Sequence, residues 1–271
     1  MCYDPIRLGI SIHTISGPLD DERRGDLIYD GGLLVFKDVA PLREVVSIAQ
    51  ELIAEAVSID ELQARFKRDE RVKELFRAAL EHVGVAGERS YWDSIRLRVV
   101  PPIEGGGGLQ IGRIGVHRDT WGSNVLQQTN WWTTLRPLSD ERTIVFYPRY
   151  WERPIANTSA EWDLDAVRER RRRGERVEEL PIVPEPTEPV DRESELRMVV
   201  EPGDFLCFSG AHLHASVPNT STETRYSVEL RTVYAGDLAS DRGAPNLDGR
   251  APAVPLHWFR SMTDGTPLRR S

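Results

Sequence analysis

Gly203-Asp204-Phe205-Leu206-Cys207-Phe208-Ser209-Gly210-Ala211-His212-Leu213-His214-Ala215-Ser216-Val217-Pro218-Asn219 is the stretch from which the fold class can be read. A glycine-aspartate turn leads into an apolar run of strand length, and proline-asparagine closes the far side. Between them stand two histidines, His212 and His214, which share one face if the strand is regular. Thr224-Arg225-Tyr226-Ser227 follows and opens another strand pattern, Tyr226 to Arg231.

Working outward, Ile95-Arg96-Leu97-Arg98-Val99 alternates with period two and stops at Pro101-Pro102. Thr143–Tyr147 and Arg197–Val200 are further short strands, and Gly32–Phe36 is an early one. Upstream the period is helical. Pro41 suits a first turn, and Val45, Ile48, Leu52 and Ile53 recur at helix spacing. Ser58-Ile59-Asp60-Glu61 has the form of a capping box ahead of a second apolar-periodic stretch, Leu62 to Leu80. Helices first and many short strands afterwards predict an α+β chain, mainly β, built on a sandwich or barrel.

The chain has 271 residues and a net charge of −8. That length fits one domain, residues 1–271, which needs no disulfide staples. Residues 163–196 differ in texture. The run Arg168-Glu169-Arg170-Arg171-Arg172-Arg173 and the proline- and glutamate-rich segment after it predict a solvated insertion, with a lid over a site as the functional alternative. The acidic balance argues against nucleic acid as a partner. No apolar run approaches a membrane span, the first residues do not read as a signal peptide, and the two cysteines, Cys2 and Cys207, fit a reducing cytoplasm. Gly105–Gly108 lacks the lysine of a phosphate loop and reads as a turn.

His117-Arg118-Asp119 is the second chemical signal. On a strand, residues two apart point the same way, so an imidazole and a carboxylate can grip one ion. Alone the pattern is weak. Joined to one distal histidine it makes a facial triad, which leaves coordination positions open and suits Fe(II). His13, His82 and His257 have no ligand-like neighbours.

With these residues together, the chain resembles the Fe(II)/2-oxoglutarate-dependent oxygenases of the phytanoyl-CoA hydroxylase type. The likeness rests on His117-x-Asp119, His214, Ser216 and Arg225 and covers about residues 92–235. It implies a double-stranded β-helix (a jelly roll, cupin-like) with the N-terminal helices packed outside. It implies His117, Asp119 and His214 as iron ligands, with Ser216 and Arg225 holding the far carboxylate of 2-oxoglutarate and O₂ as co-substrate. His212 is the competing distal ligand and otherwise a substrate contact, and Arg231 is the competing anchor. The presence of Asp119 argues against the halogenase variant of the chemistry, which lacks the carboxylate.

Trp121, Trp131, Trp132, Trp151 and Trp162 crowd one region, interleaved with Asn124, Gln127, Gln128, Thr129 and Asn130. They read as core or as a cleft in which indoles stack on sugar faces and amides pair with hydroxyls. Trp121, Asn124 and Trp132 are the substrate candidates. Gln128, or its neighbours Gln127 and Asn130, is the candidate contact to the near end of 2-oxoglutarate. The segment also resembles the oxygenases of orthosomycin antibiotic pathways. That likeness implies a small-molecule substrate, a carbohydrate natural product, oxidised by hydroxylation or ring closure. Two other readings use the same residues: a non-redox cupin-type metal enzyme, and a carbohydrate-binding β-sandwich with incidental histidines.

Overall fold

The computed structural model describes residues 9–103, 114–173 and 183–269. In chain order the elements are β1 (Ser11–Ile15), α1 (Asp21–Tyr29), β2 (Gly32–Phe36), α2 (Ala40–Glu55), α3 (Ile59–Arg68), α4 (Glu70–His82), β3 (Ser90–Trp92), β4 (Arg96–Val100) and α5 (Asp119–Ser123). There follow β5 (Gln128–Thr134), β6 (Ile144–Phe146), α6 (Leu164–Arg172), β7 (Leu196–Met198), β8 (Phe205–Ser209), β9 (His214–Ser216), β10 (Arg225–Tyr234), α7 (Ala235–Ala239) and β11 (Arg260–Ser261).

The strands form two sheets. The larger runs β1-β2-β8-β5-β10-β3-β11, with β4 also paired to β10, and the smaller runs β7-β6-β9. This is the mainly-β double-layered architecture expected, with α2, α3 and α4 laid on the outer face of the large sheet. Period two sorts the side chains between two cores. Leu34, Phe36, Trp131, Phe205, Cys207, Val228 and Leu230 pack under Leu42, Phe66, Phe76 and Leu80 of the helices. Leu33, Val35, Trp132, Leu206 and Phe208 turn inward to Ile144, Phe146 and Met198 of the small sheet.

Adjacent tryptophans therefore have opposite fates. Trp131 lies under the helices, 5.9 Å from Phe36 and 4.9 Å from Phe205, ring centre to ring centre. Trp132 faces the space between the sheets.

The second helical stretch divides into α3 and α4. Ser58 caps α3 by accepting from Glu61 N at 3.2 Å, and the Glu61 carboxylate accepts from Val57 N, one residue before the cap, so the serine half of the box forms. Asp69 then ends α3 through its own N–H to Arg65 O and starts α4 by accepting from Arg71 N at 2.9 Å. A carboxylate that can cap sits inside the apolar period, and capping breaks the run. Gly105–Gly108 and residues 174–182 lie outside the described residues. Of the insertion, α6 is helical. Residues 185–191 are tied to the chain at 149–158 by Thr158 N to Glu185 O, Thr187 N to Ala156 O and an Arg149–Asp191 ion pair of 2.5 Å. Among the described residues no helix is long and apolar enough to cross a membrane.

Phe76 is fully buried where helix meets sheet, against Phe205. Phe76→Ala is expected to cost about 3–5 kcal/mol of stability, read as a lower denaturant midpoint at unchanged slope.

Candidate metal centre

His117 pairs with His214 across a single antiparallel bridge at the edge of the small sheet. Each N–H donates to the other's carbonyl at 3.0 Å. The pairing sets the two imidazoles side by side, ring centres 4.3 Å apart. Asp119 does not share their strand. The chain leaves the extended conformation there and Asp119 opens α5, so the same-face argument from strand period fails for this pair. The carboxylate reaches the imidazoles from the first helical turn instead. Gly210 packs beside it: a Cβ there would stand 2.9 Å from Gln128 Nε2, so the glycine leaves room for that amide.

His117 Nε2 lies 3.9 Å from Asp119 Oδ1, and His214 Nε2 lies 3.7 Å from Asp119 Oδ2. One ligand atom from each residue falls within 4.8 Å of the others. The Nδ1 of His117 sits 2.9 Å from Gly115 O, and the Nδ1 of His214 sits 2.9 Å from His212 O. A carbonyl can only accept, so each Nδ1 carries the proton and each Nε2 lone pair points at the shared space. Burial lowers the pKa of His117 and, with His117 beside it, brings His214 down to about 4, so both rings are neutral ligands at ordinary pH. Burial alone would raise Asp119. The Arg231 guanidinium outweighs it and holds the carboxyl below the usual range.

Asp119 is braced on both oxygens. Arg231 donates through Nη2 to Oδ1 at 2.6 Å, and Asn130 Nδ2 donates to Oδ2. Gln128 stands behind, its amide donating to Asn130 Oδ1 at 2.7 Å. The triad opens into a small cavity of about 30 Å³, also lined by Trp132, Ser216 and Arg225. There Arg225 is buried and donates to Ser216 Oγ at 3.0 Å and to Thr143 O at 2.9 Å.

The sequence candidates divide accordingly. His117, Asp119, His214, Ser216, Arg225 and Trp132 meet in one cavity. His212 does not line it. Its strand is not regular: β8 ends at Ser209, a turn follows, and the His212 ring goes the other way. There it stacks 4.4 Å from Trp151, with its nitrogens 3.1 Å from Ser209 O and 3.2 Å from Gly31 O. Trp121 is fully buried among Tyr147, Tyr150 and Ile155, and its indole N–H donates to Asp248 at 2.6 Å. Asn124 takes a left-handed φ of 48° to end α5 and donates to Ala251 O at 2.9 Å. Gln128 supports Asn130 rather than lining the cavity. Arg231 reaches Asp119, not the far end by Ser216.

The sequence reading missed Arg98 and Glu229, a cavity-lining ion pair of 2.5 Å, and Asp93, which partners Arg231. The signal was present: Arg225, Ser227, Glu229 and Arg231 alternate along one strand.

Residues 54–227 match the phytanoyl-CoA dioxygenase (PhyH) model. The chain belongs to the phytanoyl-CoA dioxygenase family. No curated protein matches significantly. Among solved structures, this dioxygenase-family chain is similar to the epimerase SnoN in complex with Fe3+, alpha ketoglutarate and nogalamycin RO. The identity is 13%, over 92% of this chain and 95% of that one, with a TM-score of 0.47. It is also similar to EvdO2 from Micromonospora carbonacea var. aurantiaca complexed with 2-oxoglutarate, at 16% identity over 82% of this chain and 93% of that one, TM-score 0.49. EctD from S. alaskensis in its apo form is 15% identical over 92% of this chain and 87% of that one, TM-score 0.44.

His117→Ala, Asp119→Ala and His214→Ala are each expected to weaken Co(II) or Fe(II) binding by at least tenfold, whereas His212→Ala should lower the melting temperature and leave metal affinity intact. Equilibrium metal titration beside thermal unfolding checks both.

Proposed function

We propose that this dioxygenase-family enzyme uses Fe(II) and 2-oxoglutarate to oxidise a C–H bond of a carbohydrate-bearing small molecule, by hydroxylation or ring closure. What supports the metal is the donor set: two neutral imidazole nitrogens and one carboxylate, converging with their other atoms already bonded. When bound, iron with 2-oxoglutarate and O₂ supplies the oxidising power, as cofactors do the hard chemistry on a protein that positions it.

The observation that carries the co-substrate is the surroundings of Arg225. Three arginines line the cavity, Arg98, Arg225 and Arg231. Arg98 is paired with Glu229, and Arg231 with Asp93 and Asp119. Among the described residues, Arg225 pairs with no carboxylate, and its buried Nε has no hydrogen-bond partner. Burial lowers its pKa to about 10, which still leaves it charged. A buried guanidinium without a counter-ion is costly, and a carboxylate entering beside Ser216 Oγ supplies one through charge-assisted hydrogen bonds. Arg225 and Ser216 would thus bind and orient the far carboxylate of 2-oxoglutarate, while His117, Asp119 and His214 would hold the metal ion.

For the substrate, Trp132 and Phe208 offer aromatic wall, and Glu229 with Asn130 offers polar atoms in the same cavity. That mixture suits a hydroxylated ring. The apolar wall and the buried floor keep water from the reacting centre. The described part of 163–196, tied beside the small sheet, is proposed to border the entrance.

Adding Fe(II) and 2-oxoglutarate without oxygen should produce the weak visible charge-transfer band of the chelate, and admitting O₂ should yield succinate. Absence of both overturns the reading in favour of a non-redox metal enzyme or a binding module. Arg225→Ala should raise the 2-oxoglutarate concentration needed for the band by about tenfold or more, at unchanged metal affinity.

A further inference from the structure

The carboxylate that completes the triad shares its guanidinium with a second carboxylate outside the cavity. Arg231 splits its fork: Nη2 donates to Asp119 Oδ1 at 2.6 Å, and Nη1 lies 3.2 Å from Asp93 Oδ2. Asp93 is gripped twice more. Its Oδ1 accepts the Arg231 backbone N–H at 2.9 Å, and its N–H donates to Arg231 O at 3.0 Å. Arg96 Nη1 stands 2.7 Å from the same Oδ2 that Arg231 contacts. The four groups form a line of alternating sign, Arg96–Asp93–Arg231–Asp119. The two carboxylates are nearly buried, with side chains 7% and 8% exposed. In such a place charge interactions are weakly screened.

We propose that this line is a positioning relay that sets the metal affinity of the triad through the share of Arg231's charge that falls on Asp119. The inference rests on the reading of His117, Asp119 and His214 as a metal centre. Its physical content is competition. A guanidinium on a ligand carboxylate orients it but also draws on the negative charge that a divalent ion needs. Asp93 takes part of that guanidinium, leaving Asp119 the stronger donor. Arg96 takes part of Asp93, and so works in the opposite direction. Asp93 and Arg96 touch none of the three ligands, yet each is predicted to change their affinity, with opposite signs. The 10–100-fold effects typical of residues that hold metal ligands set the scale.

The experiment is a Co(II) titration of the full chain and its variants, read by the visible ligand-field absorption of the bound ion, with a thermal melt of each. Asp93→Asn should weaken Co(II) binding about tenfold, because Arg231's charge then falls on Asp119. Arg96→Gln, at a side chain 23% exposed, should tighten it a few-fold. In Asp93→Asn/Arg231→Gln the loss due to Asp93→Asn should vanish relative to Arg231→Gln alone, since the effect travels through Arg231. If Asp93→Asn does not fold, Arg96→Gln carries the test by itself. Unchanged or weaker binding by Arg96→Gln overturns the relay. So does an Asp93→Asn loss that persists undiminished without Arg231, because a merely structural role for Asp93 would behave that way. If the unmodified chain takes up no Co(II), the metal-centre reading itself fails, which distinguishes that failure from the failure of the relay alone.

Discussion

Two backbone hydrogen bonds between His117 and His214 are the constraint on which the rest depends. They join the segment entering α5 to the strand leaving the turn after β8, and they place two Nε2 atoms over one point. The carbonyls of Gly115 and His212 then fix both tautomers. No side chain has to be flexible for the centre to assemble. Its geometry is a property of the sheet edge, which explains why so much burial surrounds it. The neighbouring elements hold the backbone that holds the rings.

Around that bridge the large sheet acts as a charged floor. Successive inward positions of β10 carry Arg225, Ser227, Glu229 and Arg231, backed across the strand pair by Thr134, Trp132 and Asn130. The positions at one end are ion-paired, Arg98–Glu229 and Arg231–Asp93, whereas at the other end the described hydrogen-bond partners of Arg225 are neutral. Among the described residues, Arg225 is thus a buried cation without an ion-pair partner, beside a cluster of metal-type donors. The outward positions of the same strand, Val228 and Leu230, meanwhile sit in the helix-covered core. One strand thus serves stability on one face and recognition on the other, by period two alone.

Much of the fold was legible. The strands at Gly32, Arg96, Ile144, Phe205 and Arg225 and the capped start of α3 follow from period, turn residues and capping chemistry, which act over a few neighbours. β5 was hidden. Gln128–Thr134 is buried at every position, so it shows no alternation, and its amides and tryptophans read equally well as a cleft. Only pairing with β8 on one edge and β10 on the other gives it an inside and an outside. That pairing sends Trp131 to the helices and Trp132 to the cavity. Trp121 and Asn124 read in sequence as binding residues because an indole suits a sugar face and an amide its hydroxyls, yet in the fold their polar atoms have protein partners. Asp248 and the carbonyl of Ala251, far along the chain, provide them.

What the sequence determined by itself is the chemistry on offer: two imidazoles and a carboxylate of metal-binding type, a serine and an arginine at strand spacing, and the alternation that builds two sheets. Such features depend on residue type and short separations, so they survive without coordinates. What only the tertiary structure decided is direction. It turned His212 toward Trp151 and His214 toward Asp119 because a turn interrupts the strand between Ser209 and His214. It gave Asp119 its reach from a helical turn rather than a strand. It also assigned Arg231 to Asp93 and Asp119 while leaving Arg225, among the described residues, outside any ion pair. Charges pair by distance through space, and that distance is set by which strands lie side by side.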